Sequence, residues 1–580
     1  MDMLTQATRH SYTTLLDAVT LQSEDSERDA ILYLETDKSP VVVSRRDFRR
    51  ATVTCAAALK KMGIAPRDLV VIAHTQDLES IYAFWGALLA GAIPSMFPTL
   101  TEKLDASIYK QSMAELVKLS GVRAILTTDA FAPELGAHIG CPVYGSAQLA
   151  ASISSADVEA FTPHIPDPDE IAFLQHSSGT TGLQKGVALS HRAVLNQIAC
   201  YSDAIQLSAQ DVIVSWLPLY HDMGLIAGFL MPLAQGTPLV LMSPFDWVQH
   251  PAILLRAIHD HRGTLCWLPN FAYNHCARRV RQRDAEGLSL ASMRMFVNCS
   301  EPVHHASHQL FLERFLSQGA KPEMLAVSYA MAENTFAVTQ TPPGQSARFD
   351  IVDRIELEQN RYAKPVSADD PNAQVRVSCG PVIAGTAVRA VDDEGQVLPE
   401  RRVGQVAIQS DYMLSGYYKR PDLQPFHDGW YLTGDMGYVA DGEIYIVGRL
   451  KDLIINAGKN IYPQDIEAIV NTVPGIHAGR AVAFGVPDER EGTELIAVVA
   501  EVNSEDIAER KHTATQIRLV VTRQSMITVS YVYLVDSRWL IKTSSGKIAR
   551  RANRDKWLAE RGTAEGRREA ADSAASVILL

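Results

Sequence analysis

Paired cysteines are missing from this sequence. Its seven cysteines, Cys55, Cys141, Cys200, Cys266, Cys276, Cys299 and Cys379, are scattered over 580 residues without a C-x-x-C pair. That excludes a cysteine zinc site of the usual spacing and a disulfide framework, and suits a reducing compartment. Long apolar runs are missing too. The most apolar stretch, Ile81 to Phe97, is broken by Gly91 and Pro94 and is too short to span a bilayer. It reads as a buried helix leading into a strand. Met1 to Ser11 shows no basic patch followed by an apolar segment, so a cytoplasmic location is expected. Positive charge is in deficit: 54 Lys and Arg stand against 66 Asp and Glu, a net charge of −12. A field of that sign repels phosphate backbones and anionic lipid, so neither nucleic acid nor membrane is the expected partner. Any anionic ligand must be held by a local site.

What remains is an ordinary globular composition, 47% apolar and 21% charged, on a chain long enough for two or more domains. Helical spacing at Asp47 to Met62 and Ile81 to Ala90 alternates with strand patterns at Leu69 to Ala73 and Gly121 to Thr127. This implies α/β units around mostly parallel sheets. Pro163, Pro166 and Pro168 mark a loop before the next strand. Residues Phe349 to Val377, charge-rich and carrying Pro365 and Pro371, read as a surface excursion grafted onto the larger domain. At Gly448 to Asp452 the chain turns charged between apolar strands Glu443–Val447 and Leu453–Ile455, where a hinge fits. From Arg561 onward a frayed tail is expected.

The strand Ile171 to Leu174 runs into Gln175-His176-Ser177-Ser178-Gly179-Thr180-Thr181-Gly182-Leu183-Gln184-Lys185-Gly186. Glycines let backbone N–H groups converge, hydroxyls add neutral donors and Lys185 adds charge, which together make a phosphate cradle. The spacing is not that of a Walker loop. Taken alone, the same composition also describes a flexible loop.

Five further segments follow in order: Leu217-Pro218-Leu219-Tyr220-His221-Asp222-Met223-Gly224, Ser328-Tyr329-Ala330-Met331-Ala332-Glu333, Tyr431-Leu432-Thr433-Gly434-Asp435, Gly448-Arg449-Leu450-Lys451-Asp452 and Lys542-Thr543-Ser544-Ser545-Gly546-Lys547. With the phosphate loop, this series resembles the adenylate-forming superfamily of acyl-CoA synthetases, luciferases and peptide-synthetase adenylation domains, from about Tyr12 to Ala559. The forms of the second and third motifs, and the excursion ending at Val377-Ser378-Cys379-Gly380, are most similar to the fatty acyl-AMP ligases. In those ligases the insertion is thought to restrict domain movement or CoA access.

The resemblance implies an α/β fold of the ANL type. A large domain, residues 1–450, would hold α/β subdomains, a β-barrel-like part and the insertion at about 349–377. Residues 451–580 would form a small mobile α+β lid. It implies that ATP and Mg²⁺ are used to activate a fatty acid, and that the acyl group then goes to an acyl carrier protein or a carrier domain of a polyketide or peptide synthase.

Role by role, the resemblance gives Lys547 the carboxylate and α-phosphate, and Glu333 the Mg²⁺ on the departing phosphates. Ser177, Ser178, Gly179, Thr180, Thr181, Gly182 and Lys185 take the phosphates. Tyr329 stacks on adenine, flanked by Ser328, Ala330 and Met331. Asp435 and Arg449 take the ribose, and Lys451 is the hinge. The segment Cys299-Ser300-Glu301-Pro302 stands where the family usually has Gly-Ala-Glu-Pro, and Ser300 and Glu301 are assigned to the nucleotide. Ile541 replaces a common proline, with no backbone donor lost. His221 sits where the acyl carboxyl end enters, and Leu225, Ile226, Phe229 and Met231 are tunnel-wall candidates that also read as ordinary core. His304, His305 and His308 have a spacing that could suggest zinc, but no third ligand is evident. Arg278, Arg279, Arg281 and Arg283, or Arg550 with Arg551, are candidate basic patches for an acidic carrier. Two other readings stand beside this one: a long-chain fatty acyl-CoA synthetase, and a non-catalytic module that binds acyl-adenylate.

Overall fold

The computed structural model describes residues 12–22, 27–100, 106–176, 185–488, 493–543 and 546–568, except for the side chains at 19–22, 108 and 562–568. Local chemistry starts the first elements. The Ser44 side chain accepts from the Asp47 backbone and caps helix Arg45–Lys61, and Asp77 and Ser80 form a reciprocal capping box before helix Leu78–Leu89. That helix ends where Gly91 takes φ +79°, with Ala92 N–H on Ala87 O and Gly91 N–H on Leu88 O. Only a residue tolerant of left-handed backbone closes a helix in this way. The chain then enters strand Ile93–Met96, so the most apolar stretch is a buried helix followed by a strand, as expected.

Leu69–Ala73 is a fully buried strand at the predicted residues. It lies inside a four-stranded parallel sheet ordered Ile93–Met96, Leu69–Ala73, Ala124–Thr127, Val143–Gly145. A seven-stranded sheet runs Leu325–Val327, Met295–Asn298, Leu265–Leu268, Ile213–Ser215, Leu239–Met242, Asp29–Leu34, Val41–Ser44, parallel except for its last pair. One buried cluster joins both sheets, with Val70 and Ile72 from the first and Ile213 and Leu241 from the second, and is filled by Phe84, Trp85, Phe173 and Phe229 from neighbouring elements. The half-barrel is a five-stranded antiparallel sheet: Thr386–Val391, Gly404–Ser410, Trp430–Ala440 and Phe426–His427, with Glu443–Arg449 also paired to Trp430–Ala440.

From Ile454 onward the chain builds a core of its own. The sheet of Ile476–Asp488, Thr493–Val502 and Tyr531–Val535 is buried on both faces by strand alternation. Ala481 and Ala483 face Ile466 and Ile517 of helices Pro463–Val470 and Ile507–Ser525, whereas Val482 and Phe484 face Trp557 of helix Arg550–Arg568. The fraying expected from Arg561 is not found as far as Arg568, which ends this helix, and the rest of the expected tail lies outside the described residues.

The excursion at Phe349 to Val377 is more than surface. Strands Phe349–Asp353 and Ala373–Val377 pair antiparallel around helix Arg354–Asn360. Val352, Leu357 and Ala363 bury against Tyr438, Tyr445, Val447 and Tyr462. Several of its polar groups bond C-terminal residues. Arg376 donates to both oxygens of Asp465 at 3.1 and 2.8 Å, Arg354 to Ser525 O at 2.6 Å, and Asn460 to Glu358 O at 2.9 Å.

Burial pushes the Glu358 carboxyl up to about 7, against the pull of the Arg354 guanidinium 3.4 Å away. The folded chain therefore holds a proton that the unfolded chain releases near 4.5. The stability this proton confers is fully present below that value and is lost as pH rises through about 7. Glu358→Gln should abolish the loss. In urea unfolding, the variant should gain on the order of 2–3 kcal/mol over wild type between about pH 5 and about pH 8.

Candidate active site

Asp435 and Arg449 face each other across the antiparallel pair Trp430–Ala440 and Glu443–Arg449, with Arg449 Nε 3.3 Å from Asp435 Oδ1. The Tyr329 hydroxyl donates to the other oxygen, Oδ2, at 2.6 Å. Burial and Asp435 push that hydroxyl well above its ordinary value, and Asp435 holds the Arg449 guanidinium above its own. Each carboxylate oxygen has a second lone pair, so Asp435 can still accept two hydroxyls. Tyr329, Ala330 and Met331 are half-buried, whereas Ser328 is buried with its hydroxyl on Thr339 O at 2.7 Å. Ser328 therefore shapes the hairpin, and its hydroxyl is spent.

Glu333 projects from the short 3₁₀ turn Ala332–Asn334, which is followed by Thr335 at φ +60°. A β-branched residue rarely accepts that backbone. It is held there by Thr335 Oγ1 on Tyr412 O and Asn334 Nδ2 on Ala337 O, at 2.7 and 2.8 Å. Tyr417 donates to Glu333 Oε1 at 3.3 Å, and its oxygen lies 3.2 Å from that of Tyr431. Burial raises the Glu333 carboxyl, and Asp222 adds to the rise. Lys185 Nζ sits 4.8 Å over the Tyr417 ring, because strand Gly416–Tyr417 pairs with Gly186–Ser190.

The C-terminal part delivers Lys547 on a tight reversal. Lys542 and Ile548 bridge, Thr543 N–H bonds Lys547 O at 2.7 Å and Gly546 turns at φ +84°. Asn553 clamps the base of this loop, accepting from Ile541 N–H and donating to Ile541 O, both at 2.8 Å. The proline common at this position would lack that donor. Burial lowers the Lys547 ammonium from its ordinary value; Asp222 and Glu301 oppose the fall, and Arg449 adds to it. Lys547 is thus in electrostatic reach of residues 222, 299, 301 and 449. Lys451, in the turn Leu450–Asp452, is likewise lowered by burial, with Arg449 and Lys185 contributing in the same direction.

His221 Nδ1 lies 2.6 Å from Asp222 Oδ1, which also accepts from Met223 N–H at 2.8 Å. Met223–Leu230 follows as a π-helix, a form that tends to mark functional segments. Leu225, Ile226, Phe229 and Met231 are all buried in the main core, and Phe229 packs 6.0 Å from Phe84 and 6.5 Å from Trp85. Ser300 takes φ +71°, where glycine would be easier, beside the buried Cys299. Glu301 Oε2 accepts from Phe271 N–H at 2.9 Å, at the start of helix Asn270–Arg279.

Some expectations fall elsewhere. Ser177, Ser178, Gly179, Thr180, Thr181 and Gly182 lie outside the described residues. His304, His305 and His308 point to separate tasks: His308 Nε2 meets Asn298 Nδ2 at 2.9 Å, the His305 ring packs on Phe349, and His304 N–H bonds Asn270. Arg550 is no docking patch, because it is spent on Glu467 at 2.8 Å and on Asp452. Arg281 and Arg283 are both near Asp284, at 3.7 and 3.6 Å. Sequence reasoning missed Asp222, Tyr417 and Tyr431 as site residues, although Asp222 and Tyr431 stand inside the quoted motifs.

Residues 22–418 match the family described as AMP-binding enzyme. The chain belongs to the AMP-binding enzyme family. Another of its members, the long-chain-fatty-acid–AMP ligase FadD26 of Mycobacterium marinum, is 30% identical over 557 residues, covering 90% of this chain and 93% of that protein. The medium-chain-fatty-acid–acyl-carrier-protein ligase JamA of Moorena producens is 31% identical over 575 residues, covering 94% and 95%. A solved chain from work on fatty acyl-adenylate ligases of E. coli and L. pneumophila superposes with a TM-score of 0.86 at 27% identity, over 95% of this chain and 99% of that one. The fold is the ANL fold.

In this AMP-binding enzyme the π-helix is pressed against the preceding loop. A Cβ on Gly224 would come within 2.2 Å of Pro218 O, a backbone atom that cannot swing away. Gly224→Ala should therefore shift the helix that carries His221 and Asp222 at its start. The expected result is a lower thermal midpoint and an activity loss at least as large; an unchanged melting curve would contradict the packing argument.

Proposed function

We propose that this chain joins a fatty acid to AMP, releasing pyrophosphate, and then passes the acyl group to the phosphopantetheine thiol of an acyl carrier protein or carrier domain. One observation carries the reading: in a chain of net charge −12, Lys185, Arg449, Lys451 and Lys547 converge from three separate segments. Such a local excess of positive charge fits a reaction between two anions. The fatty carboxylate attacks the α-phosphorus of ATP, a new C–O–P linkage forms, the bond to the β-phosphate oxygen breaks, and pyrophosphate leaves. No enzyme nucleophile is needed. Positioning and charge stabilisation supply the rate.

In this reading Lys547 spans the carboxylate and the α-phosphate, and Lys185 with Ser177–Gly182 holds the departing phosphates. Tyr329 offers its face to adenine, beside the backbone of Ser300 and Glu301, while Asp435 and Arg449 take the ribose. His221 marks the carboxyl end of an acyl site walled by Leu225, Ile226, Phe229 and Met231. Glu333 fits a magnesium ion, because its carboxylate is desolvated, its proton affinity is raised and its partners Tyr417 and Tyr431 are neutral hydroxyls that leave its charge uncompensated. A cation bound there would neutralise phosphate charge. Residues 1–450 form the body and 451–580 the lid, pivoting at Lys451, in a protein of the cytoplasm. No described helix is long and apolar enough to cross a membrane. The carrier half is supported by likeness to JamA, and by the insertion's bonds to the lid through Arg376, Arg354 and Glu358.

Lys547→Ala should lower fatty-acid-dependent ATP–pyrophosphate exchange by roughly 100- to 1,000-fold with its fold intact; exchange within a few-fold of wild type would remove Lys547 from the chemistry. Given ATP and a fatty acid, the enzyme should load a holo carrier protein and make little acyl-CoA. Efficient acyl-CoA formation would instead establish the synthetase reading.

A further inference from the structure

Forming an acyl-adenylate needs no proton acceptor, because the attacking group is already a carboxylate. Acyl transfer to a thiol does, because an S–H bond must break as the S–C bond forms. The site holds a pair of side chains whose proton chemistry adenylation does not use. His221 Nδ1 and Asp222 Oδ1 are 2.6 Å apart, and Asp222 is locked by Met223 N–H at 2.8 Å. Burial alone would raise the Asp222 carboxyl, but His221 and Lys547 hold it below its usual range, so it is ionised. Met223 N–H also reaches His221 Nδ1 at 3.4 Å, the long arm of a shared bond, but an ionised carboxylate at 2.6 Å outweighs it, so Nδ1 carries the ring proton. Nε2 is then the atom with the free lone pair, and among the described residues it has no hydrogen-bond partner. The His221 side chain is 16% exposed, so the ring is open to an incoming group. Lys547, which marks the acyl carboxyl position, lies within electrostatic reach of Asp222.

We propose that His221 Nε2 is the base that takes the thiol proton during acyl transfer, with Asp222 as the positioning residue that fixes the tautomer. The assignment rests on the acyl-transfer half of the proposed function. The thiol proton passes to Nε2, and the sulfur electron pair forms the bond to the acyl carbon. The C–O bond to AMP breaks with its electron pair, releasing AMP. Asp222 stays ionised against the imidazolium.

The test is single-turnover transfer from purified acyl-adenylate, with a holo carrier protein or free pantetheine as acceptor. His221→Ala should slow transfer about 100-fold with both acceptors. Added imidazole should restore the rate in proportion to its concentration while leaving wild type unaffected. Asp222→Asn should slow transfer less, with the pantetheine KM unchanged, and should add less than about two-fold in the His221→Ala background. His221→Gln replaces the alanine variant if that variant fails to fold. A His221 variant with wild-type melting that transfers at the wild-type rate, or whose loss imidazole does not restore, overturns the assignment alone. A wild type that transfers to neither thiol overturns the acyl-transfer reading and this assignment with it.

Discussion

The site depends on placing cations where the chain as a whole has a deficit of them. Lys547 is half-buried while Arg449 and Lys451 keep much of their exposure, and cations that act on one another are costly unless anions stand near them. Each has one. Asp435 faces Arg449, Asp452 and Asp435 act on Lys451, and Asp222 and Glu301 act on Lys547. The carboxylates stabilise the cluster without emptying it of charge, because Arg449 and Lys185 still repel their neighbours. Any anion entering there would relieve that residual repulsion. Lys547 comes from the C-terminal part, so the charge is complete only while that part packs as it does here.

Local patterns made much of the fold legible. Leu69–Ala73 is a strand because all five residues are apolar and flanked by breakers, and Ile81 to Phe97 announced its helix and strand by length and by Gly91. The excursion at Phe349 to Val377 was misread for a physical reason. Its apolar residues are few, but Val352, Leu357 and Ala363 all turn inward, toward tyrosines about 75 to 110 residues further along the chain. No periodicity within the segment can show a partner that distant. The same holds for Arg550, whose use is decided by Glu467 and Asp452.

Within the site, single residues were legible where a motif isolates them, and pairs were not. Lys547 stands alone in a Gly/Ser/Thr loop, and the fold brings it to Asp222 and Glu301. Asp222 was overshadowed by its neighbour His221, since adjacent residues on a regular helix would point apart. Here the turn before a π-helix lets both meet. Tyr417 and Tyr431 belong to separate strands, and only the half-barrel and the pairing of Tyr417 with Val187 bring their hydroxyls together beside Glu333.

The insertion's position has an energetic consequence for the lid. Arg376 and Asp465 have side chains only 11% and 24% exposed, and Arg376 spans both carboxylate oxygens. Parting them would leave Arg376 a largely buried cation without its anion, which is costly unless water reaches it. The Arg354 bond to Ser525 O and the Asn460 bond to Glu358 O act in the same direction. All three hold the C-terminal part in the orientation that keeps Lys547 beside Asp222. An acceptor thiol that needs another orientation must therefore bring binding energy of its own. A folded carrier, with a surface to dock, can supply it more readily than a small free thiol.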